Sequence, residues 1–491
     1  MKDLKEKTIR GGLARLGAQG ANFLLRIVAL MVLARLLGPK DFGLVGMVTA
    51  FTGVLGLFRD FGLSSAAIQR TTVTEEQAST LFWINLTVGA LLGLLALGLA
   101  PAVAAFYREP RLVGVTAALA VGFLFNAAGV QHGVILQRAM RFTALAVINT
   151  VSLIVGSAAG IGGALAGYGY WSLVAMTVSL PLSSTIGLWI VTGWVPGRPR
   201  RQSGIRSMMR FGGTLTLNGL VGYVAFNLDK VLLGRVWGVD ALGMYGRAYS
   251  LINIPTDNLN VAAGEVAFSA LSRLQDDPNR LKSYFLKGYS LVLAMTIPIT
   301  IACAFFADDV VVVVLGRKWT AAASIFRLLA PTILTFAIVN PLGWLINSLG
   351  LAARGLRMAL VIAPVMIAGY LVGLPYGPQG VAFAYSTVML LWVVPAIAWA
   401  VHGTDLSTGE VLMTVSRPLA SGIAAGTLAF GVGLACSQWH PLPRLVVETA
   451  VLLFTYVVTL LFASGQKSQY LDILRGLKGP LSAEEKALAS T

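Results

Sequence analysis

Long apolar runs separated by short polar gaps follow one another along the chain, and the runs at 86–100 and 446–462 are typical. A helix needs about 20 residues to cross the hydrocarbon layer of a bilayer, so runs near this length indicate spanning helices. The pattern predicts about fourteen spans, at approximately 16–37, 43–66, 79–100, 111–132, 143–163, 168–192, 211–236, 242–270, 283–306, 320–349, 354–374, 380–401, 411–436 and 443–464. We therefore predict an all-α integral membrane protein.

Composition supports the bilayer as the solvent of this chain. Hydrophobic residues make up 56% of the sequence and charged residues 12%, whereas soluble domains carry about 25% charged residues. The formal net charge is +16, but the basic residues lie in the gaps between apolar runs and form no single patch. This distribution argues against a nucleic-acid partner and is typical of charges that set membrane topology.

The basic residues also predict the orientation in the membrane. With a cytoplasmic N-terminus, 24 Lys and Arg residues fall on the inner side, 6 on the outer side and 7 within spans, which is the asymmetry expected of an inner-membrane protein. The apolar run after the basic N-terminus contains Arg26 and Arg35, so we expect a first span there rather than a cleaved leader. We predict a multi-pass protein of a bacterial cytoplasmic membrane with both termini in the cytoplasm.

An internal repeat relates the two halves of the chain at a shift of 200 residues. The matching positions are Arg35/Arg235, Gly38/Gly238, Gly43/Gly243 and Gly46/Gly246. Each set lies at the turn between the first two spans of a half, and six spans per repeat would orient both halves alike, around a pseudo-two-fold axis along the membrane normal. The predicted organisation is an N-terminal lobe at 1–200, a C-terminal lobe at 201–402, two further spans at 403–466 and a cytoplasmic tail at 467–491.

Ionisable residues inside spans are candidates for function, because each costs at least about 2.5–3.5 kcal/mol at the bilayer centre unless it meets water or a partner. On the first span, Arg15, Gln19, Asn22 and Arg26 follow helical spacing and share one face. On the eighth, Asn253 and Asp257 lie on a similar polar stripe, edged by Arg247 and Glu265, and the seventh contributes Asp229 and Lys230. The predicted substrate-binding residues are Arg26, Asn22, Gln19, Lys230, Arg247 and Asn253, and the candidates for ion coupling are Asp257, Asp229 and Glu265. The alternative for Arg26, Asp257, Asp229 and Lys230 is a set of buried pairs that tie helices together.

For the other polar residues we predict structural roles. Arg59 and Asp60 are predicted to form an interfacial pair, and Asp308 and Asp309 a solvated cap on a segment too short to span. The two cysteines and three histidines have no metal-ligand spacing, so no metal site is expected. No gap can hold a catalytic domain and no G-x-x-x-x-G-K-[ST] motif occurs, so the chain is expected to be neither an enzyme nor an ATPase.

Three stretches of sequence carry a family resemblance. They are LARLLGP at 33–39 with RDFGLSSAAIQR at 59–70, GYGYWSL at 167–173, and YGRAY at 245–249 with Phe268 and SRLQD at 272–276. In this order they resemble the polysaccharide transporter (PST) family, the Wzx-type flippases of the multidrug/oligosaccharidyl-lipid/polysaccharide (MOP) exporter superfamily. Ser269 stands where the family often has proline. The resemblance covers about residues 10–400.

The resemblance implies a two-lobed transporter that moves an undecaprenyl-pyrophosphate-linked oligosaccharide repeat unit across the membrane by alternating access. The product would serve a surface polysaccharide of the exopolysaccharide, lipopolysaccharide or teichuronic-acid type. Arg26, Lys230 and Arg247 would supply cations for the pyrophosphate. No cofactor is expected, and H⁺ or Na⁺ is the expected coupling ion. Expected partners are the lipid-linked oligosaccharide, membrane lipids, and the polymerase and chain-length regulator of the same pathway.

Two alternatives remain open from the residues. A drug/cation antiporter of the same superfamily would favour an anionic cavity, whereas Arg and Lys stand beside Asp in this chain. A membrane polysaccharide polymerase would need a substantial outer loop with catalytic residues, and every predicted outer loop is short.

Overall fold

A computed structural model describes residues 20–59, 64, 67–68, 73–199 and 206–463, with the backbone alone at 206–218, 257–263, 265–266, 269 and 463. Over these ranges the chain is helical and contains no strand. The first half of the chain provides α1 (20–36), α2 (Pro39–Leu57), α3 (Glu75–Tyr107), α4 (Leu112–Arg138), α5 (Phe142–Leu165) and α6 (Tyr170–Thr192). Then follows a helical stretch, Arg206–Arg273, interrupted at Gly238, whose φ of 80° and ψ of −168° are not helical. We call its two parts α7 (206–237) and α8 (239–273).

The second half continues with helices and two single 3₁₀ turns, Arg317–Trp319 and Leu374–Tyr376. The helices are α9 (Pro278–Phe305), α10 (Ala307–Val314), α11 (Thr320–Leu329), α12 (Pro331–Ser348), α13 (Ala352–Gly373), α14 (Gly377–Val401), α15 (Thr408–Ala435) and α16 (Pro441–Val458, followed by a π turn at Thr459–Ala463). Each of the fourteen predicted spans therefore overlaps a helix of the described chain, although the second, predicted to reach residue 66, is helical only up to Leu57 before the continuously described residues end at 59. The tenth consists of two helices, α11 and α12, and α10 has only 8 residues.

Ten stretches of the described chain are long and apolar enough to cross a membrane, and one of them, Ala352–Val401, contains both α13 and α14. The predicted all-α, multi-span fold is thus confirmed. Several of the helices start at a polar side chain that caps the first turn. Thr74 Oγ1 accepts the Gln77 N–H at 3.2 Å while Gln77 Oε1 accepts the Thr74 N–H at 3.2 Å, and Ser407 and Glu410 repeat this reciprocal arrangement at α15.

The chain divides into two compact units. Among the described residues, unit 1 comprises those up to Arg247 with the short segments Val314–Ala321 and Tyr370–Val381, and unit 2 comprises the others. The lobe boundaries expected from the repeat stay a prediction. Within each unit, glycines let helices approach closely, as is common in membranes. In unit 1 a Cβ at Gly89 of α3 would overlap the methyl group of Ala127 on α4, and in unit 2 a Cβ at Gly422 of α15 would overlap Ile297 of α9.

Candidate functional site

The two glycine turns of the repeat pack against each other within unit 1. A Cβ at Gly43 would overlap the backbone carbonyl of Val239, and a Cβ at Gly243 would overlap that of Pro39. Pro39 and Val239 are themselves 200 residues apart, so the contact is reciprocal. We call Pro39, Gly43, Val239 and Gly243 the turn contact. Beside it, Lys40 Nζ lies 3.7 Å from Asp240 Oδ2, again between positions that correspond in the repeat.

Two tryptophans form hydrogen bonds near the helix ends beside the turn contact. Trp319, which is 0% exposed, donates its Nε1–H to the Ala34 carbonyl at the end of α1 at 2.8 Å. Trp237, near the end of α7, donates its Nε1–H to the Leu374 carbonyl at 2.8 Å. Trp319 also meets the ring of Phe42 edge-on, with centroids 5.5 Å apart. The ends of α1 and α7 are thus held by directional bonds on the side of the membrane that the charge pattern predicts to be outer.

Arg247 packs against Phe42, the residue that precedes Gly43 of the turn contact. Its guanidinium carbon stands 4.4 Å from the centroid of the Phe42 ring, and its Nε is buried without an acceptor in the described part of the chain. A cation over an aromatic face is attracted by the ring quadrupole, by about 2 kcal/mol when desolvated. The predicted binding residue Arg247 is therefore packed on α2, with part of its hydrogen-bonding capacity unused.

Asp229 and Lys230 of α7 each have a hydrogen-bond partner. The Asp229 carboxylate is 1% exposed and its Oδ2 accepts the Tyr245 hydroxyl at 2.7 Å. Lys230 Nζ donates to Asn227 Oδ1 at 2.7 Å. These bonds place Asp229 in the packed interior of unit 1 and Lys230 beside the amide one turn earlier.

Arg26 lies on α1, a helix that is exposed on two opposite faces. Leu24 and Val28 are 61% and 54% exposed, and helical geometry places them opposite Asn22 and Arg26. Arg26 is also exposed, and it has no hydrogen bond or ion pair to any described residue. Asn22 is half-buried, and its Oδ1 has no donor among the same residues. One face of α1 thus suits lipid, while the other needs water or a polar ligand.

Arg59 lines a cavity of about 120 Å³ formed by α2, α4 and α6. Its Nε is buried without an acceptor in the described chain. The other polar groups of the wall are Thr49, Thr52, Asn126 and Thr177. The cavity therefore combines a cation with hydroxyl and amide groups, and Asp60, the predicted partner of Arg59, lies outside the described residues.

The polar groups of this cavity are bonded in a way that leaves acceptors available. Thr52 Oγ1 donates to the Val48 carbonyl at 2.9 Å, Thr177 Oγ1 to that of Leu173 at 2.8 Å, and Asn126 Nδ2 to that of Gly122 at 2.9 Å. A hydroxyl that donates to its own helix keeps its lone pairs, and so does the amide oxygen. The wall can accept hydrogen bonds from hydroxyl groups while Arg59 donates to an anion.

The remaining predicted residues lie elsewhere. Asn253 is half-buried on α8 in unit 2. Gln19 and the side chains of Asp257 and Glu265 lie outside the described residues, so their proposed roles stay predictions. Within the described residues no group of three or more His, Cys, Asp or Glu could hold a metal ion.

One prediction for the second half of the chain was wrong in part. Asp308 is exposed and pairs with Arg327, as a solvated cap would, but Asp309 is 5% exposed and pairs with Arg444 of α16. The partner comes from 135 residues further along the chain, so local sequence could not reveal it. Glu448, one turn after Arg444 and also 5% exposed, was missed as well, although an acidic residue inside an apolar run is a usable signal.

The chain is similar to known proteins in both sequence and fold. The family described as "Polysaccharide biosynthesis protein" matches residues 32–324. Teichuronic acid biosynthesis protein TuaB of Bacillus subtilis (strain 168) is 28% identical, over 76% of this chain and 83% of its own length. Succinoglycan biosynthesis transport protein ExoT of Rhizobium meliloti (strain 1021) is 23% identical, over 93% of each chain.

Solved structures share the fold. The lipid II flippase MurJ in an inward closed conformation superposes with a TM-score of 0.75 at 12% identity, covering 94% of this chain and 100% of MurJ. An inward-facing multidrug resistance MATE transporter of the MOP superfamily gives 0.64 at 14% identity, over 82% and 99% of the two chains. The resemblance seen in the motifs is thereby confirmed, and the chain belongs to the polysaccharide biosynthesis protein family, with the fold of MOP-superfamily transporters.

Proposed function

We propose that this chain is a flippase that carries an undecaprenyl-pyrophosphate-linked oligosaccharide repeat unit across the bacterial cytoplasmic membrane for surface polysaccharide assembly. The observation that carries the proposal is the polar face of α1, where Arg26 is exposed without a partner among the described residues opposite a face that suits lipid. A pyrophosphate would satisfy that guanidinium, and charge-assisted hydrogen bonds to phosphate are among the strongest in proteins. The relatives act in polysaccharide biosynthesis, and MurJ is named as a lipid II flippase.

The cavity of Arg59 is a second polar surface of unit 1, and it would suit the glycan part of the cargo. Its acceptor-rich wall suits sugar hydroxyls, which lose water on binding and need replacement bonds. In this mechanism the polyprenyl tail stays in the bilayer while pyrophosphate and sugars follow the polar groups. Arg26, Asn22 and Gln19 would form the path on α1, with Lys230 and Arg247 as further contacts within unit 1, while a contribution from Asn253 in unit 2 stays a prediction from the sequence.

The turn contact supports an alternating-access cycle. It closes the helix ends on the side predicted to be outer, so it would have to separate before the glycan leaves on that side. The termini would lie in the cytoplasm, and the polymerase and chain-length regulator of the pathway would receive the product. Arg and Lys on the proposed path favour an anionic cargo over the cationic drugs of an antiporter.

The decisive experiment for the function is to deplete the protein and follow the lipid-linked oligosaccharide. We expect the intermediate to accumulate, shielded from a glycan-cleaving reagent added outside spheroplasts, and to become accessible when the chain is restored. Accumulation of an accessible intermediate would instead assign the chain to a later step, such as polymerisation.

Ion coupling can be tested with the same assay. If H⁺ or Na⁺ drives export through Asp257, Asp229 or Glu265, collapse of the corresponding gradient should stop the intermediate from reaching the outer leaflet. Export that is indifferent to both gradients would remove these carboxylates from that role.

The Arg59 cavity yields a separate prediction. Arg59→Gln should slow export roughly tenfold to a hundredfold, because a hydrogen bond to a charged group contributes about 1.5–3 kcal/mol. Arg59→Lys should retain part of the activity, since it keeps the charge but loses the planar fork. The matched control is Arg198→Gln, at an exposed arginine that follows α6. Equal export by the Arg59→Gln and Arg198→Gln variants would remove the cavity from the transport path.

A further inference from the structure

Unit 2 contains a cavity of about 600 Å³ that the proposed transport path does not use. It lies among the ends of α9 and α15 and the beginning of α16, in the last two spans and their neighbours. One part of its wall is apolar, with Phe305, Phe430 and Leu434. The charged part of the wall consists of Asp308, Asp309, Arg327, Arg444 and Glu448. Three carboxyl groups thus face two guanidinium groups.

Glu448 is the unusual member of this wall. It is 5% exposed, and its Oε2 has no hydrogen-bond donor among the described residues. A Cβ at Gly433 of α15 would overlap Glu448 Oε1, so the glycine provides the space that the carboxyl group occupies. A buried carboxylate without donors is costly, and a bound donor would relieve that cost.

Arg444 is one turn away on the same helix, but its donors are directed elsewhere. Its Nη2 donates to Asp309 Oδ1, its Nε donates to Asp309 Oδ2 at 2.5 Å, and its Nη1 donates to the Ser437 carbonyl at 3.3 Å. This two-pronged geometry is the strong form of an Arg–carboxylate pair. Glu448 is therefore left as the acceptor for a cationic group that enters the cavity.

The rim of the cavity offers the opposite charge and an apolar surface. Arg327 pairs with Asp308 at 2.5 Å, and both side chains are about half exposed or more, at 48% and 66%. Such exposed pairs contribute little to stability, so Arg327 is available to an anion. Phe430 and Leu434 are exposed on a candidate membrane span, where exposure means contact with acyl chains. The cavity thus suits an amphiphile that carries both an ammonium group and an anion.

We propose that this cavity binds the head group of a phospholipid with a primary ammonium, namely phosphatidylethanolamine. The ammonium donates to Glu448, the phosphate faces Arg327, and the acyl chains lie along Phe430 and Leu434. A primary ammonium has three N–H donors, as in a lysine side chain, whereas the trimethylated head group of phosphatidylcholine has none. The last two spans then serve as a lipid-binding element, independently of the cargo that the rest of the chain carries.

The test compares the two lipids on the purified full-length protein. The chain is mixed with equal amounts of phosphatidylethanolamine and phosphatidylcholine, and the retained lipids are counted by native mass spectrometry. We expect at least a tenfold preference for phosphatidylethanolamine, which Glu448→Gln abolishes because the carboxamide lacks the charge. The matched control is Glu410→Gln at the opposite end of α15, where the carboxylate pairs with Lys282 at 2.6 Å and should not affect the preference.

Equal retention of the two lipids, or an unchanged preference in the Glu448→Gln variant, would overturn the proposal. If Glu448→Gln lowers the melting temperature of the protein, Arg327→Gln decides instead, because Arg327 is exposed and its loss should leave the fold intact. That variant is expected to retain several-fold less phosphatidylethanolamine. Undiminished retention by the Arg327→Gln variant would count against the site in the same way.

Discussion

Gly43→Ala and Gly243→Ala should each reduce export severely, and should leave the turn contact open. The added methyl group would overlap a backbone carbonyl, of Val239 or of Pro39 respectively, and a backbone atom cannot rotate away as a side chain can. Overpacking of this kind costs typically about 1–3 kcal/mol, which shifts a two-state equilibrium roughly 5- to 150-fold. Opening can be measured in an Asp240→Cys background, with Cys303→Ala and Cys436→Ala, as the rate at which the introduced thiol is labelled by a membrane-impermeant maleimide.

The repeat provides its own matched control for this prediction. Gly246 occupies an equivalent glycine position, but nothing lies within 4 Å of a Cβ there, so Gly246→Ala should export and label like the parent. Gly46→Ala should behave similarly, because its nearest neighbour is the flexible Leu242 side chain at 3.7 Å. If all four variants export equally well, the turn contact has no role in the transport cycle.

Arg26→Ala should abolish export while leaving membrane insertion and protein level unchanged. Arg26 has no bond to a described residue, so its removal breaks no contact seen in the structure, and the loss would fall on cargo binding. A bidentate guanidinium–phosphate contact is matched poorly by an ammonium, so Arg26→Lys should recover only part of the activity. The measurement is the amount of polysaccharide at the cell surface, together with the pool of lipid-linked intermediate.

Arg357→Ala is the control for the loss of a basic residue in a membrane helix. Arg357 is exposed near the start of α13, on the side predicted to be inner, so it can reach interfacial water. Its loss should change export by less than twofold. Normal export by the Arg26→Ala variant would refute the assignment of α1 as the cargo path and would favour a structural role for this arginine.

The sequence predicted the positions of the helices well, but it predicted the contacts between them only in part. The apolar runs locate the helices because a spanning segment must satisfy its backbone internally over a fixed membrane thickness. The glycine repeat found at a shift of 200 residues has a structural counterpart in the turn contact. The repeat could not show, however, that Gly43 and Gly243 meet backbone carbonyls whereas Gly46 and Gly246 do not, because this depends on where the partner turn lies.

The features of the candidate site also fall into those that local sequence predicts and those that depend on long-range packing. Helical spacing alone placed Asn22 and Arg26 on one face of α1, since that relation is local. The polar cavity around Arg59 is formed by three helices that are far apart in the sequence. From the sequence alone, Arg59 could therefore be interpreted only together with its neighbour Asp60. Long-range packing also decided the partner of Asp309.

What the sequence by itself determined is the solvent of this protein, the approximate location of its spanning helices, its family and the repeat, because hydrophobicity, chain length and local spacing are properties of contiguous residues. Only the tertiary structure decided which glycines close the turns, which arginines keep unused donors and where Glu448 is buried. Those properties depend on distances between helices that are far apart in the chain, and no local pattern of residues encodes them.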